Sequence, residues 1–435
     1  RSVPALTERS LLSAVFYLAW PAMLEQALQT VVLYVDTAMV GSIGVHATAA
    51  VGLTTSVMWL ANSPLWAMGI GVLACVARAV GARDTRTIRS TAQQAVFLAL
   101  IMGVINTAAT ESIASSLPGW LRADPSLWHD GSLYFAIVCA PSIFRSFSFI
   151  LGSALRGAGD TRTPMRINLA MNAINIALNY ILIYPTHDIQ LFGLRCRIPG
   201  FDMGVTGAAL ATAIAVVFSG TAMLISALNS PVLKPRGIPW RVDKPVMGEC
   251  VRIGLPVMLQ NLCVFSGHVV FSSLVTSMGE KELATHTIAI TAEQAVYIPG
   301  FGMQASASTL CGIAVGERDE EKLDRASRMV LLISMGLMTL TGAVLFAIPD
   351  VMMGLFTSDQ QVIKGGAVIL RMVACSEPFY AAMIIFEGIF RGVGQTRYSF
   401  VVSVITMWGL RIMGTVLCTQ VWHLGLPAVW MCMRS

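Results

Sequence analysis

The sequence predicts an all-α integral membrane protein whose twelve transmembrane helices form two six-helix lobes related by a parallel repeat. The first observation is compositional: 55% of the 435 residues are hydrophobic and only 12% are charged, whereas roughly a quarter are charged in soluble globular domains. The second is that apolar stretches of about twenty residues, enough to cross a bilayer, follow one another along the chain. The third is that segments of the first half recur in the second.

The apolar stretches place the helices. We predict membrane spans at 11–41, 47–78, 90–115, 131–155, 163–185, 203–229, 246–277, 284–314, 326–348, 362–390 and 398–421. A twelfth span begins near Gly425, and the chain ends after about half the length of a span. These spans predict three parts: an N-lobe over 1–230, an interlobe linker over 231–245, and a C-lobe over 246–435 whose last helix is incomplete.

The repeat is clearest in two loops. The segment AVGARD at 79–84 recurs as AVGERD at 314–319, and RGAGDTR at 156–162 recurs as RGVGQTR at 391–397. Both pairs have the same offset of 235 residues. Because loops after even-numbered helices match each other, the two halves have the same orientation in the membrane, as in parallel repeats of transporters.

The basic residues indicate the orientation. They concentrate in alternate loops, such as the loop that carries Arg83, Arg86 and Arg89. By the positive-inside rule that side faces the cytoplasm, so both termini are predicted to be cytoplasmic in a multi-pass plasma (inner) membrane protein. The net charge of +5 does not indicate nucleic-acid binding, because the basic residues line no single helix face. No metal-ligand cluster, nucleophile motif or phosphate loop points to an enzyme.

Several motifs carry a resemblance to a known family. They are WPAMLEQ at 20–26, VDTAMVG at 35–41, RGAGDTRTP at 156–164, NAINIALNYILIYP at 172–185 and GVTGAALAT at 204–212. Their order and spacing resemble the multidrug and toxic compound extrusion (MATE) family. The resemblance implies two lobes around a central cavity that opens alternately to each side. It also implies export of amphipathic small molecules across the bilayer, coupled to Na⁺ or protons and requiring no other cofactor. We expect a monomer.

The same resemblance places an ion-coupling site in the first half. It falls on Asp36, Asn175, Asn179 and Thr206, and Asn179 departs from the branch of the family that has an aspartate there. The residues themselves support a site, because a lone carboxylate inside a membrane is costly and asks for a role. Carboxylate and amide oxygens suit a small hard cation, whereas burial of Asp36 alone would favour a proton. The sequence leaves both readings open.

Other polar residues inside the predicted helices are candidates for the substrate cavity. The face that carries Asp36 also carries two of them, at helical spacing, and the second half supplies the others. The candidate residues are Glu25, Gln29, Glu293, Tyr297, Glu377 and Arg411. Prolines inside the first and seventh helices, Pro21 and Pro256, are predicted bend points, because proline removes a helical hydrogen bond.

One alternative function comes from the arginines that fall inside predicted helices. Arg145, Arg371 and Arg411 are unexpected in a cavity for cationic compounds. They would suit a flippase for lipid-linked oligosaccharides, which belongs to the same superfamily. A channel is a further class, but no loop resembles a selectivity filter.

Overall fold

The computed structural model describes residues 8–120, 125–191, 194–235, 239–276, 280–354, 359–421 and 426–434. Its α-helices are α1 (Glu8–Gly41), α2 (Val45–Gly81), α3 (Thr85–Ala114), α4 (Leu117–Trp120), α5 (Trp128–Cys139), α6 (Ser142–Gly157), α7 (Arg162–Ile183), α8 (Gly204–Asn229), α9 (Lys244–Thr276), α10 (Glu280–Gln294), α11 (Ile298–Glu317), α12 (Glu320–Ala347), α13 (Pro349–Gly354), α14 (Gln360–Val393), α15 (Thr396–Val404), α16 (Met413–Val416) and α17 (Leu426–Arg434). Short 3₁₀ turns are found at Pro125–Leu127 and Ala295–Tyr297, and π-helical segments at Ile405–Ile412 and Leu417–Val421.

Every predicted membrane span coincides with a described helix or with consecutive helical segments. Eight described helices are long and apolar enough to cross a membrane, and the bent pair α5–α6 makes a ninth. The remaining predicted spans correspond to α7, to α10 with α11, and to α17. Their apolar signal is weaker because α7 carries a row of asparagines, the α10–α11 span is interrupted, and α17 is short.

Three local features depart from uninterrupted helices. The predicted span 131–155 is broken at Pro141, where α5 and α6 meet at 47°, because proline lacks the amide hydrogen that continues a helix. The predicted span 284–314 is interrupted by the Ala295–Tyr297 turn, shortly before Pro299. The loop after α7 contains an antiparallel hairpin of β1 (Pro185–Leu191) and β2 (Leu194–Phe201), which the sequence did not predict.

The internal repeat is visible in the backbone. Arg83 and Arg318 both adopt the left-handed conformation, with φ of 54° and 57°. Gly159 and Gly394 also have positive φ, 85° and 71°. Each pair is separated by the repeat offset. Non-glycine residues rarely adopt positive φ, so two arginines in this conformation at equivalent positions show that the two halves share their turn geometry.

The repeat extends to the helix starts and to the prolines. Asp84 caps α3 by accepting hydrogen bonds from the backbone of Arg86 and Thr87, and Asp319 caps α12 by accepting one from Lys322. Hydrogen bonds from Thr87 and Arg86 hold the pKa of Asp84 below its usual value, the Thr87 side chain contributing most. At the same offset of 235 residues, Pro21 inside α1 corresponds to Pro256 inside α9.

One compact unit comprises the described parts of Ala27–Val76 and Asp84–Val251. Small residues allow its helices to approach closely, as is usual between membrane helices. At Gly220 on α8, an added Cβ would lie 2.2 Å from the carbonyl oxygen of Phe144 on α6. Tight packing of this kind fixes α6 and α8, and α8 in turn packs along α7.

The other compact unit comprises the described parts of Arg1–Gln26, Ala77–Arg83 and Arg252–Ser435. The first part of α1 therefore belongs to this unit, and the rest of α1 to the unit described above. Within it, a Cβ at Gly302 on α11 would lie 2.2 Å from Cγ of Met23 on α1. A buried apolar cluster surrounds this contact; it contains Leu11, Ala14, Val15, Leu18, Ala19, Met303, Ala307, Leu310, Ala326, Val330 and Ile385.

Candidate functional site

The centre of the candidate site is a carboxylate on α1 beside two amides on α7. Nδ2 of Asn179 donates a hydrogen bond to Oδ1 of Asp36 at 2.5 Å. Asn175 lies one turn earlier on the same face of α7, and the two asparagines are 5% and 2% exposed, respectively. Among the described residues, Oδ1 of Asn179 has no hydrogen-bond partner. The structure therefore brings together three of the four predicted ion-coupling residues and leaves one buried acceptor oxygen available.

The amide of Asn175 can adapt to the charge of Asp36. One end of this amide lies 3.0 and 3.3 Å from the two carboxylate oxygens, and the other end lies 3.3 Å from Oγ1 of Thr212. With its nitrogen towards Asp36, Asn175 donates to an ionised carboxylate. With its oxygen towards Asp36, its nitrogen donates to Thr212 instead, and a proton or a cation is needed between the two oxygens.

The donor set fits a monovalent cation. The carboxylate of Asp36 and the amide oxygens of Asn175 and Asn179 are oxygen ligands of the kind that hard cations prefer. The unpartnered Oδ1 of Asn179 would gain a partner in such a cation. The same carboxylate can take up a proton and donate it to the Asn175 oxygen, so the geometry suits either coupling ion.

The first half contains three other predicted residues. Thr206, near the start of α8, is partly buried, and no hydrogen bond joins it to Asp36 within the described part of the chain. Gln29 is exposed, whereas Glu25 is buried and falls in the other compact unit. The hydroxyl beside the asparagines belongs to Thr212, which the sequence did not single out. It lies in the quoted GVTGAALAT segment, but no spacing rule distinguishes it from Thr206.

The end of α7 is held close to the site. The hydroxyl groups of Tyr184 and Ser42 lie 2.7 Å apart, and this contact ties the residue after α7 to the end of α1. The backbone amide of Met203 donates to the carbonyl of Leu182 at 2.9 Å, which joins the start of α8 to the last turn of α7. These contacts hold Asn179 in position against α1.

A second polar cluster forms in the other unit from residues that the sequence marked as cavity candidates. Glu293 is 3% exposed and lies within electrostatic range of Glu377 and Arg411. Tyr380 interacts electrostatically with all three, and its ring centre is 4.6 Å from that of Tyr297. The structure therefore brings these four predicted residues around Tyr380.

Glu387 has a structural role. Nη2 of Arg391 lies 2.6 Å from Oε1 of Glu387, which forms an ion pair within α14. Gln260 and Gln304 donate to the two carboxylate oxygens of Glu387 at 2.7 and 3.0 Å. The network links α9, α11 and α14 and satisfies the charge of Arg391, which is 6% exposed.

The family profile that matches this chain is MatE, and it matches twice, over residues 21–181 and 256–417. Together these stretches cover well over half of the sequence. The chain belongs to the MatE family. The two matches begin 235 residues apart, which confirms the repeat offset found in the sequence.

Curated MatE relatives span nearly the whole chain. It is 29% identical over 95% of its length to the "Probable multidrug resistance protein NorM" of Thermotoga maritima, of which it covers 87%. It is 24% identical over 92% of its length to the "Multidrug resistance protein PmpM" of Pseudomonas aeruginosa, of which it covers 83%.

A solved MatE structure supports the fold. The crystal structure described as the outward-facing conformation of a multidrug resistance MATE family transporter superposes with a TM-score of 0.87 at 23% identity, covering 97% of this chain and 91% of that one. The chain is therefore a multi-pass membrane protein of a transporter family, with twelve transmembrane helices in two lobes, as its sequence predicted.

Proposed function

We propose that this MatE protein exports amphipathic organic compounds, coupled to an inward flow of Na⁺ or protons at Asp36. The observation that carries the proposal is the cluster of Asp36, Asn175 and Asn179, in which two buried amides lie against one carboxylate. The names of the relatives NorM and PmpM, both described as multidrug resistance proteins, support multidrug resistance as the role.

Occupancy of Asp36 drives the transport cycle in this proposal. A coupling ion biases a conformational equilibrium only if it binds one conformation more tightly than the other. Moving one charge inward through 100 mV supplies about 2.3 kcal/mol, to which the concentration gradient adds. The proposed conformational change uses the weak points at Pro21 and Pro256, where each proline removes a hydrogen bond from a continuous helix.

The remaining parts of the proposal follow the sequence interpretation. The lobes span 1–230 and 246–435 around a central cavity, joined by the linker at 231–245, and both termini face the cytoplasm. Thr206 stays a predicted member of the ion site, and Glu25 and Gln29 stay predicted cavity residues. The protein acts as a monomer.

Transport in proteoliposomes tests the proposal. Efflux of a cationic dye is measured while a Na⁺ gradient and a proton gradient are imposed separately, for the wild type and for Asp36→Asn. We expect one gradient to drive efflux in the wild type and neither to do so in the variant. Glu111→Gln is the matched control, because Glu111 is an exposed acid on α3. Full gradient-driven efflux by Asp36→Asn would refute the proposal.

The flippase alternative has less support once two of the three arginines are accounted for. Nη2 of Arg145 donates to the carbonyl of Val138 at 3.1 Å. Arg371 is half exposed and lies 3.6 Å from the carboxylate of Asp350. Both have an oxygen partner in the fold, whereas Arg411 has no oxygen as a hydrogen-bond acceptor among the described residues.

A further inference from the structure

Arg411 carries hydrogen-bond donors that the described protein does not use. Its guanidinium carbon lies 4.9 Å from the centre of the Phe271 ring, and Nη1 contacts the sulfur of Met407 at 3.7 Å. Its Nε and Nη2 atoms are buried without a hydrogen-bond partner among the described residues. A buried charged group that lacks hydrogen bonds lowers the stability of the fold. The Nε and Nη2 atoms of Arg411 are therefore suited to an acceptor atom of a bound ligand.

The neighbours of Arg411 also carry ring nitrogens without a hydrogen-bond partner among the described residues. The Phe271 ring is 5.3 Å from the ring of His286, which is 5.4 Å from the ring of Trp430. His286 and Trp430 are 3% and 1% exposed. Nδ1 of His286 and Nε1 of Trp430 have no partner in the described part of the chain. An indole N–H is a donor only, so it needs an acceptor, as Arg411 does.

The winding of the helix around Arg411 is unusual. Residues Ile405–Ile412 form a π-helix, and π-helical turns occur frequently at functional sites. A π-helical stretch accommodates one residue more than an α-helix would. The second MatE match, 256–417, is one residue longer than the first, 21–181, which agrees with an additional residue in this helix.

With this additional residue, the positions of the first copy that correspond to Phe271 and Arg411 can be assigned. At the repeat offset, Asp36 corresponds to Phe271; with one residue added, Asn175 on α7 corresponds to Arg411. In the first copy the carboxylate of Asp36 lies beside the amide of Asn175, and in the second the guanidinium of Arg411 lies over Phe271. The equivalent pair of positions thus holds an aspartate and an asparagine in the first copy, and a phenylalanine and an arginine in the second.

One acid lies within electrostatic range of Arg411. Glu293 interacts with Arg411, and this attraction lowers the cost of the buried positive charge. It does not satisfy the directional donors of Arg411, because Nε and Nη2 remain without acceptors among the described residues. A carboxylate can accept two parallel hydrogen bonds from one guanidinium.

We propose that Arg411, Phe271, His286 and Trp430 form a binding site for the carboxylate of an aromatic or amphipathic organic acid. The guanidinium donates from Nε and Nη2 to the carboxylate, and the rings of Phe271 and Trp430, each 1% exposed before the acid enters, contact its apolar part. The inference rests on the proposed function only in treating this acid as a transported compound.

Two probes that differ only in their polar group test the site. Binding of 2-naphthoate and of the neutral 2-naphthamide to the purified full chain in lipid nanodiscs is measured by calorimetry. We expect naphthoate to bind at least about tenfold more tightly, the size of a hydrogen bond to a charged group. Arg411→Gln should remove this preference, and Trp430→Phe should weaken naphthoate binding. Arg371→Gln is the control, because Arg371 is paired with Asp350 and should keep the preference.

Each outcome decides the inference. Equal binding of the two probes to the wild type would overturn it, whether or not Arg411→Gln folds. Persistence of the preference in a folded Arg411→Gln would also overturn it. The proposed function fails separately: it is refuted if Asp36→Asn keeps gradient-driven efflux, and this result leaves the naphthoate preference untouched. Conversely, gradient-driven efflux of a cationic dye with no naphthoate preference refutes only the carboxylate site.

Discussion

The hydroxyl of Thr212 on α8 lies 3.3 Å from the amide of Asn175 on α7. This contact supports the amide that faces Asp36, so we predict that Thr212→Val weakens ion coupling by up to about tenfold, the value of one hydrogen bond. The measurement is the ion concentration that gives half-maximal efflux. Thr206→Val, measured in parallel, should have the smaller effect. A larger effect at Thr206 would favour the position that family resemblance indicates over the one that the structure indicates.

We predict that replacing Glu377 by a neutral residue of the same size stabilises the folded protein. Its side chain is 0% exposed, and neither carboxylate oxygen has a hydrogen-bond partner within the described residues. An unpaired charge there would be costly, so Glu377→Gln should raise the unfolding temperature. Glu377→Ala should lower it, because truncation leaves a cavity next to Gly342, whose added Cβ would lie 3.0 Å from Cγ of Glu377. Equal destabilisation by both changes would contradict this prediction.

Helix packing makes Gly220 sensitive to a single methyl group. Because its Cβ would lie 2.2 Å from a backbone oxygen of Phe144, Gly220→Ala forces α6 and α8 apart. We expect a loss of about 1–3 kcal/mol in the free energy of unfolding. Gly336 on α12 is the matched control, since an added Cβ there meets nothing within 4 Å. Gly336→Ala should be neutral or stabilising. Denaturant unfolding in detergent measures both.

Because Asp84 caps α3, we predict that the stability of the first turn of α3 depends on pH. Because the pKa of Asp84 is lowered in the folded protein, the cap stabilises the helix fully at any pH above the ordinary pKa of an aspartate. This stabilisation is lost as the pH falls through the lower pKa that Asp84 has in the folded state. Asp84→Ala should cost about 1 kcal/mol near neutral pH. Asp84→Asn keeps a capping oxygen at every pH, so it should abolish the acid sensitivity.

Hydrogen exchange of the Thr87 backbone amide, which donates to Asp84, measures the effect directly. The protection factor at pH 6 should exceed that at pH 3 in the wild type and stay constant in Asp84→Asn. The same loss of protection in both proteins would show that the acid sensitivity arises elsewhere.

The sequence predicted the spans and the repeat because each leaves a periodic or repeated signal, whereas the meeting of Asp36 with the asparagines of α7 was implied by the family resemblance. Hydropathy marks the helices, and the spacing of Asn175 and Asn179 marks one face. It missed the break at Pro141, because a proline inside a span signals either a kink or a stop. It did not single out Thr212, because the contact of Thr212 with Asn175 depends on how α7 and α8 pack, which no local pattern encodes; Thr206, which the resemblance implied, stays a prediction.

The π-helical winding of Ile405–Ile412 has a consequence for tolerance to deletion. Removing one residue from an ordinary membrane helix rotates everything beyond the cut by about 100° relative to what precedes it, and so turns polar groups towards lipid. A stretch that already holds a surplus residue can lose one by returning to α-helical winding, with both of its ends still facing their partners. A single-residue deletion within Ile405–Ile412 should therefore keep the fold while it moves Arg411. A point substitution cannot test the position of Arg411 in this way.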